Sequence, residues 1–122
     1  MKTALIVDDS STVRSIISKI LTSFGIGSVQ AENGADALQR LREVDDVFLS
    51  LVDWNMPVMN GIEFLRHLRS EPGGAKPTVV FCTVENDLEH IREALAAGAN
   101  EYIMKPFDGD IIASKLVEVG LA

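Results

Sequence analysis

Short apolar runs alternate with segments of helical periodicity along the whole chain. The runs that predict strands are Ala4 to Val7, Ser28 to Ala31, Val47 to Val52, Thr78 to Cys82 and Tyr102 to Met104. The first, third and fourth runs are continuously apolar, which is typical of parallel strands that are buried on both faces. The second and fifth runs are shorter, and we expect them nearer the sheet edges.

The segments between these runs predict five helices. The first begins after the Ser10-Ser11-Thr12 cap signal and ends at Gly25, with apolar residues recurring at three- and four-residue spacing. The others are predicted over Ala35 to Val44, Ile62 to Leu68, Leu88 to Ala97 and Ile111 to Val119. This alternation predicts one α/β domain over residues 1–122, a doubly wound five-stranded parallel sheet with helices on both faces.

Composition narrows the functional classes. The formal charge is 11 minus 18, or −7, and such an acidic field repels nucleic acid and anionic lipid. No apolar run is long enough to cross a bilayer, and the first residues lack a signal-peptide pattern. We expect a cytoplasmic protein that binds neither nucleic acid nor membrane. The single cysteine, Cys82, lies in an apolar run, so we expect a buried thiol and no internal disulfide.

Polar residues follow the predicted strands at their carboxyl ends. Asp8 and Asp9 follow the first strand, Asp53 the third and Lys105 the fifth, while Thr83 ends the fourth. Open parallel sheets bind ligands outside these ends, where the strand order reverses. Singly, each residue is more often a cap, a turn or a structural group. Because they come at successive strand ends, we expect them to converge in one site.

The chemistry of this set points to phosphoryl transfer. Clustered carboxylates repel one another, and a raised pKa or a bound cation relieves the repulsion. Mg²⁺ prefers oxygen ligands and keeps several waters, and Asp9, Asp53 and the backbone carbonyl of Asn55 can supply them. A carboxylate nucleophile, a metal, the Lys105 ammonium group and the Thr83 hydroxyl are the components needed to phosphorylate Asp53. No general base is required, because a carboxylate is already ionised at neutral pH.

The chain resembles the response-regulator receiver family from Leu5-Ile6-Val7-Asp8-Asp9 to the last helix. The segments Asp53-Trp54-Asn55-Met56-Pro57, Met59-Asn60-Gly61 and Lys105-Pro106-Phe107 are similar to those of single-domain chemotaxis regulators. The resemblance implies a flavodoxin-like receiver fold with strand order 2-1-3-4-5, an order for which chemotaxis receivers are themselves a standard example.

The resemblance also implies roles for the site residues. Asp53 is expected to accept a phosphoryl group from a histidine kinase. Asp8 and Asp9 are expected to organise Mg²⁺, with Asp53 and the Asn55 carbonyl as further ligands. Thr83 and Lys105 are expected to bind the phosphoryl group.

A switch is implied as well. Tyr102 resembles the aromatic residue that turns inward as the threonine, here Thr83, moves toward the phosphoryl group, which reshapes the face formed by the fourth helix, fifth strand and fifth helix. Asn55 and Glu85 are similar to residues that set the lifetime of the phosphoryl group. Val84 is a departure, since chemotaxis regulators often have a smaller residue there.

The leading hypothesis is a stand-alone regulator that docks to the flagellar motor switch in chemotaxis. We expect a monomer without an output domain, whose only catalysis is its own phosphorylation and dephosphorylation, and for which a phosphatase is a further potential partner. An alternative is a phosphate sink or phosphorelay shuttle, because Asp87-Leu88-Glu89-His90 is acidic where chemotaxis regulators often carry lysines.

A third hypothesis is a metal-dependent aspartyl-phosphate phosphatase. It is disfavoured, since those enzymes usually have an Asp-x-Asp pair, whereas Trp54 and Asn55 follow Asp53 here. Trp54 either gates the site or packs against a neighbouring loop. His67 and His90 have no partner at metal-ligand spacing, so we expect solvated or capping roles.

Overall fold

The computed structural model describes residues 3–44, 47–71, 77–83, 88–105 and 107–120, in which strands and helices alternate. The strands are β1 Thr3–Val7, β2 Gly27–Ala31, β3 Val47–Asp53, β4 Thr78–Thr83 and β5 Glu101–Met104. The helices are α1 Ser11–Ser23, α2 Gly34–Glu43, α3 Gly61–Ser70, α4 Leu88–Ala96 and α5 Gly109–Glu118. Every predicted element is confirmed, with small differences at the ends. In the described part of the chain, no helix is long and apolar enough to cross a membrane.

The strands form one parallel sheet in the order β2-β1-β3-β4-β5. This confirms the flavodoxin-like order, with β2 and β5 at the edges. The chain moves outward from β1 to β2 and then returns to β3 on the other side of β1. The order therefore reverses between β1 and β3, and a crevice is expected beyond the carboxyl ends of these two strands.

Helices cover both faces of the sheet. On one face, α1 and α5 pack through buried side chains such as Ile17, Leu21 and Ile112. On the other, α2, α3 and α4 contribute buried residues that include Leu38 and Leu65. The sheet is thereby held as a rigid platform between two hydrophobic cores, and its carboxyl edge is left for polar groups.

The start of α3 is fixed against the end of β3. Asn60 and Glu63 form a reciprocal capping box, with N–H to side-chain oxygen distances of 3.0 and 3.2 Å. Gly61 begins the helix in very tight surroundings. A Cβ at this position would collide with the Asp53 carbonyl oxygen and would lie 2.6 Å from the Phe81 ring. Glycine at position 61 therefore allows α3 to approach the backbone that carries Asp53.

At the amino ends of β4 and β5, Arg69 connects α3 to the loops that precede these two strands. Its guanidinium group donates to the Gly98 carbonyl at 2.9 and 3.1 Å, to the Pro77 carbonyl at 2.8 Å and to the Asn100 side chain at 3.1 Å. Gly98 has a φ of 110°, a conformation that strongly favours glycine. This one side chain thus provides hydrogen-bond donors for two backbone carbonyls, one in the loop before β4 and one in the loop before β5.

Candidate functional site

Three aspartates meet at the carboxyl ends of β1 and β3. Val7 pairs with Val52 in the parallel ladder, so Asp8 and Asp53 leave the two central strands side by side. Asp8 and Asp53 are buried, whereas Asp9 is exposed. Each carboxylate offers an oxygen that lies within 4.8 Å of the other two. The predicted acidic cluster is therefore present, with one side open to solvent.

Lys105 links the two buried carboxylates. Its Nζ lies 2.9 Å from Asp8 Oδ2 and 3.3 Å from Asp53 Oδ1. Its backbone N–H donates to the Thr83 carbonyl at 2.8 Å, which fixes the start of the β5–α5 loop beside the end of β4. Thr83 itself is buried. The fold thus brings together all five residues that were predicted from the strand ends.

The electrostatics of the cluster are unbalanced. Burial raises the pKa of Asp53, and the charges of Asp8 and Asp9 raise it further, while Lys105 opposes the shift. Burial alone would lower the pKa of Lys105, but its hydrogen bonds and charge interactions with Asp8 and Asp53 raise it overall. Among the described residues of this cluster, one ammonium group faces three carboxylates, so an excess of negative charge remains.

The donor set fits a magnesium ion. The carboxylate oxygens are hard ligands within 4.8 Å of one another, and the exposed Asp9 leaves room for the waters that Mg²⁺ retains. A divalent cation would also relieve the carboxylate repulsion that raises the pKa of Asp53. Asn55, whose carbonyl was predicted as a further ligand, is an exposed residue two positions after Asp53.

The turn that carries Asp8 is held by Ser10, part of the predicted cap signal, and by Arg14, which the sequence analysis did not single out. Ser10 caps α1 and donates its N–H to Asp8 Oδ1 at 2.9 Å. Arg14, in the first turn of α1, donates to the Asp8 carbonyl at 2.6 Å and to the Gln30 side chain at 3.1 Å. The sequence did contain a signal for the role of Arg14. It lies four residues after the cap, about one helical turn, so its side chain lies on the same side of the helix as the cap and can reach the preceding turn.

Comparisons with known proteins identify the family. The family model for the response regulator receiver domain matches residues 4–117. The chain belongs to this family. This receiver is 40% identical over 116 residues to a chemotaxis protein CheY homolog of Campylobacter jejuni, covering 94% of this chain and 89% of the relative. It is 38% identical over 113 residues to the chemotaxis protein CheY1 of Helicobacter pylori, covering 92% and 91%.

Solved structures agree with this assignment. The chemotaxis protein CheY4 of Vibrio cholerae superimposes on this receiver with a TM-score of 0.91 at 30% identity, covering 98% of both chains. CheY-like receivers are signalling proteins of two-component systems and not conventional enzymes. They take phosphate from a histidine kinase, use Mg²⁺ in general and interact with protein targets.

The other predicted residues have mixed outcomes. Val84 and Glu85 lie outside the described residues, as does Asp87. Tyr102 is half-buried, and its ring centroid lies 5.8 Å from the Lys115 ammonium group. Cys82 is buried as predicted, and burial raises the pKa of its thiol to about 12, so it stays protonated at neutral pH.

Trp54 and His90, next to the site, are packed differently from the prediction. Trp54 packs against a strand and a helix, with ring centroids 5.2 Å from both Phe81 of β4 and His90 of α4. His90 is half-buried in this contact, whereas His67 is exposed as expected. The signal for His90 was its place four residues before the buried Ala94, which puts both on the face of α4 that covers the sheet.

Proposed function

We propose that this receiver accepts a phosphoryl group on Asp53 from a histidine kinase and then presents an altered surface to a protein target. The observation that carries the proposal is the buried Asp53 carboxylate, which lies beside Asp8 and Asp9 and 3.3 Å from Lys105 Nζ. This arrangement combines a nucleophile, an acidic metal-binding cluster and a cation at one edge of the sheet.

In the transfer, an Asp53 carboxylate oxygen forms a bond to phosphorus as the nitrogen–phosphorus bond of the donor phosphohistidine breaks. Asp9, Asp53 and the Asn55 carbonyl would hold Mg²⁺, with Asp8 helping to orient it, and the bound ion would supply positive charge that offsets the negative charge of the phosphoryl group. Lys105 exchanges part of its interaction with the carboxylates for one with a phosphoryl oxygen. Its position between the two buried carboxylates supports this role.

The remaining roles concern the phosphorylated state. The Thr83 hydroxyl donates to the phosphoryl group, and Tyr102 changes position with it. Both side chains border the same small cavity between β4 and α4, which supports their coupling. Asn55, Val84 and Glu85 adjust the phosphoryl lifetime. The output face is formed by α4, β5 and α5.

The target that we propose is the flagellar motor switch. The similarity to chemotaxis proteins of Campylobacter jejuni and Helicobacter pylori supports this choice. A phosphate sink or relay shuttle is the second candidate, supported by the exposed acidic Glu89 in the first turn of α4. Capture of the phosphorylated protein by a motor switch protein favours the first candidate, and capture only by a histidine phosphotransfer protein favours the second.

The phosphorylation step is tested by intact mass after incubation with acetyl phosphate, with and without Mg²⁺. We expect the wild type to gain one phosphoryl group only with Mg²⁺, and Asp53→Asn to gain none. Asp110→Asn, which removes an exposed carboxylate on α5, is the matched control and should behave as wild type. Phosphorylation of Asp53→Asn, or of the wild type without any metal, would contradict the proposal.

A further inference from the structure

The residue after the phosphoacceptor contacts the helix of the proposed output face. Trp54 is only 7% exposed, and its ring meets His90 edge to face, with centroids 5.2 Å apart and an interplanar angle of 82°. Aromatic pairs favour this geometry because the positive ring edge faces the negative ring surface. His90 lies in the first turn of α4, so the contact joins the acceptor segment directly to this helix.

An exposed ion pair also links α4 to α3. Glu93 on α4 lies 3.1 Å from Arg66 on α3, and both side chains are about half exposed, at 44% and 56%. Exposed ion pairs of this kind contribute little stability. The inward-facing contacts of His90 and the buried Ala94 therefore hold α4 against the sheet more strongly than its exposed ion pair does.

The space behind this contact is small. A cavity of about 10 Å³ lies between β4 and α4, and it is bordered by Trp54, Thr83, His90 and Tyr102 among others. Such a volume holds at most about one water molecule. A tyrosine ring is far larger, so Tyr102 can move inward only if the wall of the cavity moves. The His90 ring is part of that wall, and its displacement would separate it from Trp54.

We propose that His90 is a positioning residue whose contact with Trp54 holds α4 in its unphosphorylated position, so that phosphorylation of Asp53 and separation of the two rings are coupled. The inference rests on the proposed function. Coupling is reciprocal, so removing the ring contact should favour the phosphorylated arrangement and strengthen binding of a phosphoryl analogue.

The test measures Mg²⁺-dependent binding of beryllofluoride by calorimetry. We expect His90→Ala to bind about 3- to 10-fold more tightly than wild type, the range that corresponds to loss of one edge-to-face ring pair. His90→Phe keeps a ring and should bind as wild type does. His67→Ala removes the exposed histidine of α3 and is the matched control, also with unchanged affinity.

A cycle with Trp54→Leu tests whether the two rings act together. If they do, the affinity gained by Trp54→Leu and His90→Ala combined should be no greater than that gained by either alone. Additive effects would mean that the residues act independently and would overturn the inference. A lower melting temperature of His90→Ala with unchanged beryllofluoride affinity would also overturn it, because His90 would then only stabilise the fold.

The unaltered protein provides a measurement that does not depend on the folding of any variant. Ring protons of Trp54 and His90 are close enough for a nuclear Overhauser effect, and Trp54 is the only tryptophan in the chain. We expect this signal to disappear at saturating beryllofluoride. If it persists while beryllofluoride binds, the inference fails and the phosphoacceptor function stands. If the wild type binds no beryllofluoride with Mg²⁺, both fail.

Discussion

Replacing Asp53 by asparagine should stabilise the fold in the absence of metal. Burial raises the pKa of Asp53, and so do the neighbouring charges of Asp8 and Asp9, which means that the ionised carboxylate is disfavoured in the folded protein. Asparagine has nearly the same shape, carries no charge and retains an oxygen that can accept from Lys105. The substitution therefore removes an unfavourable charge without opening a cavity.

The magnitude follows from the distances. With an effective dielectric constant of about 20, two carboxylate oxygens that lie within 4.8 Å of each other repel by at least about 3.5 kcal/mol. The ammonium group of Lys105, 3.3 Å from Asp53, attracts by about 5 kcal/mol on the same scale. Asp8 and the exposed, better screened Asp9 together roughly offset this attraction, so the burial of the charge remains uncompensated. We expect Asp53→Asn to raise the free energy of unfolding by about 1–2 kcal/mol, or the melting temperature by about 4–8 °C.

The assay is urea unfolding at pH 7 with EDTA, repeated over a pH series. The folded-state pKa lies above the ordinary value of 3.8, so the folded protein takes up this proton at higher pH than the unfolded chain does. As the pH falls through the raised pKa, the wild type should therefore gain stability relative to Asp53→Asn. The difference in the free energy of unfolding between the two proteins should vanish once the pH is below the ordinary pKa of 3.8. Saturating Mg²⁺ at pH 7 should narrow the difference by neutralising the cluster.

Asp110→Asn is the control, because its carboxylate is exposed on α5. Because a carboxylate in the first turn of a helix is slightly stabilising, Asp110→Asn should leave the free energy of unfolding unchanged or lower it by less than about 1 kcal/mol, and it should not raise it. The reasoning is refuted if Asp53→Asn is no more stable than the wild type at pH 7 in EDTA. It is equally refuted if the difference between the two proteins does not depend on pH.

Three further substitutions test the packing around the site. Ser50 is fully buried, and its hydroxyl has no hydrogen-bond partner among the described residues. Ser50→Ala should therefore raise the free energy of unfolding by about 1 kcal/mol in urea titrations, and a loss of stability would contradict this. Arg69→Ala leaves the Gly98 and Pro77 carbonyls without their donor, so it should lower the free energy of unfolding by about 2–4 kcal/mol. A change below about 0.5 kcal/mol would show that water replaces the side chain. Gly61→Ala forces a Cβ against the Asp53 carbonyl and the Phe81 ring, so it should lower the melting temperature and, if Asp53 is phosphorylated as proposed, the rate of acetyl phosphate labelling. A wild-type rate would show that α3 can shift without moving Asp53.

Much of the fold is predictable because its signals are local. Continuous apolar runs predicted β1, β3 and β4, and helical periodicity predicted the helices between them, since burial on two faces or along one stripe leaves a direct mark on the residue pattern. The strand order has no such mark. The pairing of β1 with both β2 and β3 joins segments that are distant in the chain, so no local pattern of residues reveals it. The order was instead implied by the family resemblance.

The site could be anticipated for a related reason. Parallel strands end at the same edge of a sheet, so polar residues that directly follow strands, such as Asp8 and Asp53, are expected to converge before any contact is known. The contact between Trp54 and His90 was missed. A histidine on a helix is compatible with solvent or with a buried face, and only the packing of α4 on the sheet distinguishes the two.

The sequence by itself determined which segments are strands and helices and which ends of the strands are polar, and it predicted which residues are candidates for phosphoryl chemistry. The tertiary structure decided how these residues meet. The pairing of Val7 with Val52 sets Asp8 beside Asp53, and Lys105 reaches Asp8 across 97 positions of the chain. Such distances depend on strand register and on how closely loops approach one another. Both are properties of the packed chain as a whole, and no local pattern of residues encodes them.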